Sequence, residues 1–199
     1  MTAETFDSSR RGFVKQGLGL GLAAAGGEAM ARTLVGYQPA SLTGPEFASV
    51  KALMARLIPA DSASGGAVEA GAHVFLDRAL ATFHARHLPT YRAALAELDG
   101  LAVMPAAALD ALIARMERGE LTGAKLADGG RAFFNLIRRH TIEGFLSDPM
   151  YGGNHDFLGW KLIGYHGVQL WYSDESQQLN GDDVRPQRSI ADYGGKPLA

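Results

Sequence analysis

The side chains able to do acid–base or metal chemistry in this sequence are few and scattered. There are six histidines and no cysteine. His155-Asp156 is the one histidine–carboxylate pair set in a loop beside aromatics. Chain neighbours need not face each other, and a catalytic dyad also needs a nucleophile or a substrate pocket. A stand-alone hydrolase or lyase using His155 and Asp156 is therefore the alternative reading, not the leading one. His84 and His87 lie three apart, on one face if that stretch is helical. Two imidazoles alone make a weak metal site, and Asp77, seven residues before His84, is not spaced to complete it. They read better as solvated helix-end residues, while His73 and His140 stand alone on helices as structural histidines. No metal site and no catalytic residue is expected.

The missing cysteine rules out disulfides, c-type haem attachment, Cys-ligated iron–sulfur clusters and Cys-type zinc sites. No nucleophile elbow, P-loop, zincin or dinucleotide fingerprint is present. Gly17-Leu18-Gly19-Leu20-Gly21 fails as a nucleotide loop, because Leu22 stands where a third glycine belongs. Nothing here supports a cofactor or a self-sufficient enzyme.

The elements that must position these residues are helical. The chain has 199 residues, net charge −2, 47% hydrophobic and 20% charged residues, an ordinary globular balance. So even a charge gives no reason to expect a nucleic-acid partner. Phe47, Val50, Leu53, Met54, Leu57 and Ile58 recur at three and four, predicting a helix from Pro45 to Ile58 capped by Thr43 or Gly44. Further helices are expected over Ala67–His84, Leu88–Leu98, Pro105 to just before Gly119, and Lys125–Leu146. No stretch alternates as a strand would. The expected fold is all-α, a small bundle.

Domain organisation follows from composition. Residues 1–31 form a signal region, 32–44 a linker punctuated by Gly36, Pro39 and Gly44, and 45–172 the helical unit. Residues 173–199 are a polar tail with too little apolar surface to pack on itself, expected to be extended and to wrap a partner. The signal region carries Ser9, Arg10, Arg11, Phe13 and Lys15, then twelve uncharged residues from Gln16 to Gly27, then Ala29-Met30-Ala31. At about 1.5 Å per residue, twelve residues cannot cross a hydrocarbon core of about 30 Å. The pattern resembles a twin-arginine export signal, with Val14 in place of the usual Leu. That resemblance implies recognition by the twin-arginine translocase and a periplasmic destination.

The segment Asp148-Pro149-Met150-Tyr151-Gly152-Gly153-Asn154-His155-Asp156, followed by Gly159-Trp160-Lys161-Leu162-Ile163-Gly164-Tyr165, carries a second resemblance. It is similar to the signature of the gluconate 2-dehydrogenase subunit 3 family, roughly Asp-Pro-x-Tyr-Gly-Gly-Asn-x-Asp-x-x-Gly-Trp-x-x-Ile-Gly-Tyr. Ile58-Pro59-Ala60-Asp61, Gly65-Gly66-Ala67 and Glu69-Ala70-Gly71 resemble the family's first turn. Independently of family, the glycines permit sharp turns and close backbone approach, and Tyr151, Trp160 and Tyr165 are aromatics of the kind that dominate interfaces. Tyr151, Gly152, Gly153, Asn154, Asp156, Trp160 and Tyr165 are therefore candidates for partner contact or for building the loop. One arrangement turns Trp160 inward and the Gly-Gly turn outward, and a positive φ at Gly153 would bar a β-branched residue there.

The family resemblance implies a small, non-catalytic subunit of a membrane-associated, FAD-dependent dehydrogenase for sugars, sugar acids or polyols. FAD lies in a large partner subunit of the glucose–methanol–choline type, and a multihaem cytochrome c subunit completes many such complexes. The small subunit serves export and maturation of the large one. An exported chain without a cofactor motif fits that role. A periplasmic binding protein without an enzyme partner is the remaining alternative.

Overall fold

A computed structural model describes residues 37–123, 125–170 and 186–195. Among them the chain forms six α-helices and no strand: α1 (Gly44–Leu57), α2 (Ala72–Ala81), α3 (Leu88–Glu97), α4 (Ala106–Arg118), α5 (Arg131–Leu146) and α6 (Leu158–Ile163). The all-α expectation holds. None of these helices is long and apolar enough to cross a membrane. The expected signal region, residues 1–31, lies outside the described residues.

Helix α1 starts where its sequence says. Thr43 accepts from the Glu46 amide, and the Glu46 carboxylate accepts from the Thr43 amide, a reciprocal capping box. Val50, Leu53 and Met54 are fully buried on its inner stripe. They meet α2, α4 and α5 in one core with Leu76, Leu80, Tyr91, Ile113, Met116, Phe133 and Ile137. Arg56 grips Asp110 with two hydrogen bonds of 2.7 Å, tying α1 to α4. This pair is partly exposed, so its contribution is at most about 1 kcal/mol.

Three boundaries differ from the sequence expectation. Helix α2 is shorter than Ala67–His84. Gly71 takes φ 74° before it, and Thr82 leaves helical geometry after it. Residues 67–70 instead form a separate turn, with Ala70 N donating to Gly66 O. Helix α5 starts at Arg131 and not at Lys125, because Asp128, Gly129 and Gly130 all have positive φ. Phe83, expected on the buried face, is 52% exposed because the helix ends before it.

Helix α2 is the centre of the fold. Every residue from Ala72 to Leu80 except Arg78 is buried. It packs mainly on α5, and Gly144 makes this close approach possible. A Cβ at Gly144 would lie 2.9 Å from Ala72 Cα and 3.0 Å from Ala72 O. Nine tenths of real Cβ contacts are longer, so any side chain there would push the two helices apart.

Candidate functional site: the glycine–aromatic loop

The loop after α5 is built inward. Asp148 caps a 3-10 turn over Pro149–Tyr151 by accepting from the Met150 amide at 3.0 Å. Gly152, Gly153 and Asn154 then pass beneath the C-terminal end of α5, all three buried. Asn154 N donates to Gly144 O at 2.9 Å. A Cβ at Gly153 would collide with that same Gly144 carbonyl oxygen. The positive φ of this pair belongs to Gly152, at 92°, and not to Gly153. Glycine is thus required at 153 by lack of room, not by backbone sign. The outward Gly-Gly turn is corrected on the same ground: both glycines face the bundle.

Asn154 does the work of a helix cap at a distance. Helix α6 begins after Phe157, which stands at the N-cap with φ 57° and offers no acceptor. Asn154 Oδ1 takes over, accepting from Gly159 N at 2.8 Å and Trp160 N at 3.4 Å. Its Nδ2 donates to Ser147 O at 2.8 Å. The residue is fully buried in left-handed geometry, φ 46° and ψ 41°, a conformation asparagine tolerates better than most side chains. Trp160 turns inward as expected. It is 5% exposed, and its indole Nε1 donates to Leu146 O at 2.7 Å. Phe157 stacks on it at 5.5 Å, and Tyr165 meets it edge-on at 4.9 Å.

Two distant segments complete the loop. His155 N donates to Ala70 O at 3.1 Å, joining the loop to the turn before α2. From the other side, Ser189 Oγ donates to Asp148 Oδ1, and Ile190 N donates to Asp148 Oδ2 at 2.8 Å. Arg188 pairs with the backbone of His166 and Val168. Residues 186–195, expected within the extended tail, thus fold back onto the body and form a capped 3-10 turn over Ile190–Tyr193. The outward faces are Asp156, which is exposed, Tyr165, 46% exposed, and Tyr151, half-buried with its ring 6.4 Å from Phe83.

A family model for gluconate 2-dehydrogenase subunit 3 matches residues 45–167, more than half of the chain. The chain belongs to the gluconate 2-dehydrogenase subunit 3 family. No curated protein and no solved structure matches it. The two parts of this subunit 3 chain that carried the resemblance, Ile58 to Gly71 and Asp148 to Tyr165, are in contact through Ala70 and His155. The family name marks it as one subunit of a multi-subunit dehydrogenase.

The remaining candidates of the subunit 3 chain are placed as follows. His155 and Asp156 do not form a hydrogen bond. His155 Nε2 is buried with no partner, and burial holds the imidazole below its ordinary pKa. Asp156 points to solvent. A cleft of about 330 Å³ beside α3 and α5 offers Lys125 as its one ionisable lining group.

Sequence reasoning missed two groups. Asp77, fully buried on α2, accepts from Tyr37 Oη at 2.7 Å, Ala40 N at 2.6 Å, Ser41 N at 3.1 Å, Ser41 Oγ at 2.9 Å and Leu42 N at 2.8 Å. Burial alone would raise its pKa, but these donors outweigh that and lower it. The linker expected at 32–44 is thereby pinned from Tyr37 onward.

The second missed group is a histidine cluster. His140, fully buried, stacks on His84 at 4.4 Å and meets His87 edge-on at 5.3 Å. Its Nδ1 is 3.0 Å from Tyr91 Oη, and burial lowers its pKa to about 3 with help from the neighbouring His84, Arg139 and His87. Glu143 Oε2 lies 2.9 Å from His84 Nε2 and 4.0 Å from His140 Nε2. The available signal was two i, i+3 pairs, His84/His87 and His140/Glu143, on elements that a bundle can bring together.

Proposed function

We propose that this chain is the non-catalytic small subunit of an exported, FAD-dependent dehydrogenase of the glucose–methanol–choline type, acting on sugars, sugar acids or polyols. The family match over residues 45–167 is the observation that carries this reading. In it the flavin resides in the large subunit, this chain holds neither flavin nor haem, and a multihaem cytochrome c passes electrons onward where a third subunit is present. The chain supports export, maturation and stability of the flavoprotein, and the complex works in the periplasm against the cytoplasmic membrane.

The loop supports a division of labour. Gly152, Gly153, Asn154 and Trp160 build the loop, whereas Asp156 and Tyr165 are exposed and half-buried Tyr151 lies beside the exposed Phe83. Amphipathic aromatics at a surface rim suit a protein partner. In this reading Arg10 and Arg11 address the folded pair to the twin-arginine translocase.

Co-expression with the large subunit, followed by cell fractionation and dehydrogenase assay with an artificial acceptor, tests the reading. Arg10→Lys with Arg11→Lys keeps the charge but changes the recognised group. Periplasmic activity is expected to disappear and the flavoprotein to stay in the cytoplasm. Full periplasmic activity from the double variant removes the export assignment. Full activity and recovery of the large subunit without this chain removes the accessory role.

A further inference from the structure

The histidine cluster uses none of the loop residues, and it adjoins the loop through Phe83, whose ring lies 4.7 Å from that of His84 and 6.4 Å from that of Tyr151. His84 and His87 sit on the connection between α2 and α3, at the N-cap and the last residue of the 3-10 turn Ala85–His87. His140 and Glu143 project from one face of α5. One ligand atom each from His84, His87 and His140 falls within 4.8 Å of the others. We propose that His84, His87 and His140, with Glu143 as the fourth ligand, bind one divalent cation of the zinc class and staple the α2–α3 connection to α5.

Four observations carry this. His140 Nε2 is completely buried and has no hydrogen-bond partner, an unusual state for a polar atom in a packed core. That atom lies on the side of the ring facing Glu143, 4.0 Å away. The opposite ring nitrogen, Nδ1, is within hydrogen-bond distance of Tyr91 Oη. Metal-bound imidazoles characteristically engage their second nitrogen in this way, which fixes the ring and its tautomer. Finally, the donor set is right: three neutral imidazoles and one carboxylate suit tetrahedral zinc, and four protein ligands make a closed structural site.

The geometry requires a small closure. Zinc–nitrogen bonds of about 2.0–2.1 Å bring the ligand atoms within roughly 3.5 Å of one another. The rings must therefore approach by about 1 Å, and the stacked His84 and His140 must tilt apart. His84 and His87 are only partly buried on a short connection, so the closure falls on them and not on the core. Two positive charges oppose the ion. Arg139 flanks His140 and His87, and exposed Arg86 donates to His87 Nε2 at 3.2 Å. The Arg86 contact is a surface contact that a dication replaces. Glu143 supplies the compensating negative charge.

The test is zinc binding by the full 199-residue chain, measured by equilibrium dialysis with elemental analysis. One zinc per chain is expected. Cobalt(II) in its place should give the intense visible d–d bands of a tetrahedral site, and zinc should raise the melting temperature. His87→Ala and Glu143→Gln, both at partly exposed positions, should each weaken binding at least tenfold. The double variant His84→Ala/His87→Ala should abolish the cobalt bands while its far-UV circular dichroism stays that of the parent. Substoichiometric zinc, cobalt spectra of the hexa-aqua type in the parent chain, or undiminished binding by the folded double variant would each overturn the proposal.

Discussion

Replacing Asn154 by alanine removes three hydrogen bonds from a side chain with no solvent exposure. The Gly159 amide is among the first donors of α6, which have no intrahelical partner, and it has no substitute acceptor once Oδ1 is gone. A buried donor left unpaired costs about 1–3 kcal/mol. Loss of the bond to Ser147 O adds about 0.5–1.5 kcal/mol. Alanine in the left-handed conformation observed at 154 costs roughly 1–2 kcal/mol more. The total is about 2.5–6.5 kcal/mol, a large share of the 5–15 kcal/mol that roughly spans domain stabilities. Asn154→Gly loses the same bonds but escapes the backbone term. It should therefore fall about 1–2 kcal/mol less than Asn154→Ala. Urea denaturation of the full chain, followed by far-UV circular dichroism, reads both differences. If Asn154→Ala stays within about 1 kcal/mol of the parent, or Asn154→Gly proves the weaker of the two, the distant-cap account is wrong.

Asp77→Asn should destabilise by about 2–4 kcal/mol, since charge-assisted bonds are lost and an amide NH2 in place of Oδ2 faces the donors of Tyr37 and Ala40. The folded pKa of Asp77 lies below its ordinary value of 3.8. Its stabilisation is thus complete above that value and drains away as pH falls through the folded pKa. Acid melts of the parent should steepen below about pH 4, and a variant with an equally steep limb would show that Asp77 is not responsible. Trp160→Ala should cost about 3–5 kcal/mol by leaving a cavity, with Trp160→Phe losing far less, and equal melting temperatures for the two would disprove the inward packing. Gly153→Ala should destabilise by about 1–3 kcal/mol through its clash with the Gly144 carbonyl. A variant melting at or above the parent temperature would show room where the structure has none.

What the sequence makes legible is what repeats locally. The stripe of α1 and its Thr43 cap, the inner faces of α4 and α5, and the all-α class follow from period and punctuation alone. Helix ends were less legible. The apolar recurrence in Val68 to Phe83 runs straight through Gly71 and Thr82, and period carries no information about the φ at which a helix breaks. Contacts between distant residues were least legible. Asp77 was visible only as a carboxylate too far from His84, because its partners lie 35–40 residues earlier. Glu143 meets His84 across 59 residues. Gly144 carries no motif at all, yet Ala72 lies against its Cα and Asn154 binds its carbonyl. The loop was readable as a unit, whereas its direction was not, since glycine allows a turn to face either way.

The carboxylate of Asp148 introduces an order of events. It opens the signature segment, yet two of its hydrogen bonds come from Ser189 and Ile190, 41 and 42 residues later in the chain. During synthesis the helices and the loop leave the ribosome well before those donors exist. Asp148 then holds only its bond to the Met150 amide and stays hydrated until those later residues emerge. The seam between the loop and residues 186–195 therefore closes after helices α1 to α5, whose partners are already made. A chain cut short before Ser189 would thus keep its helices and leave the Asp148 carboxylate without two of its donors.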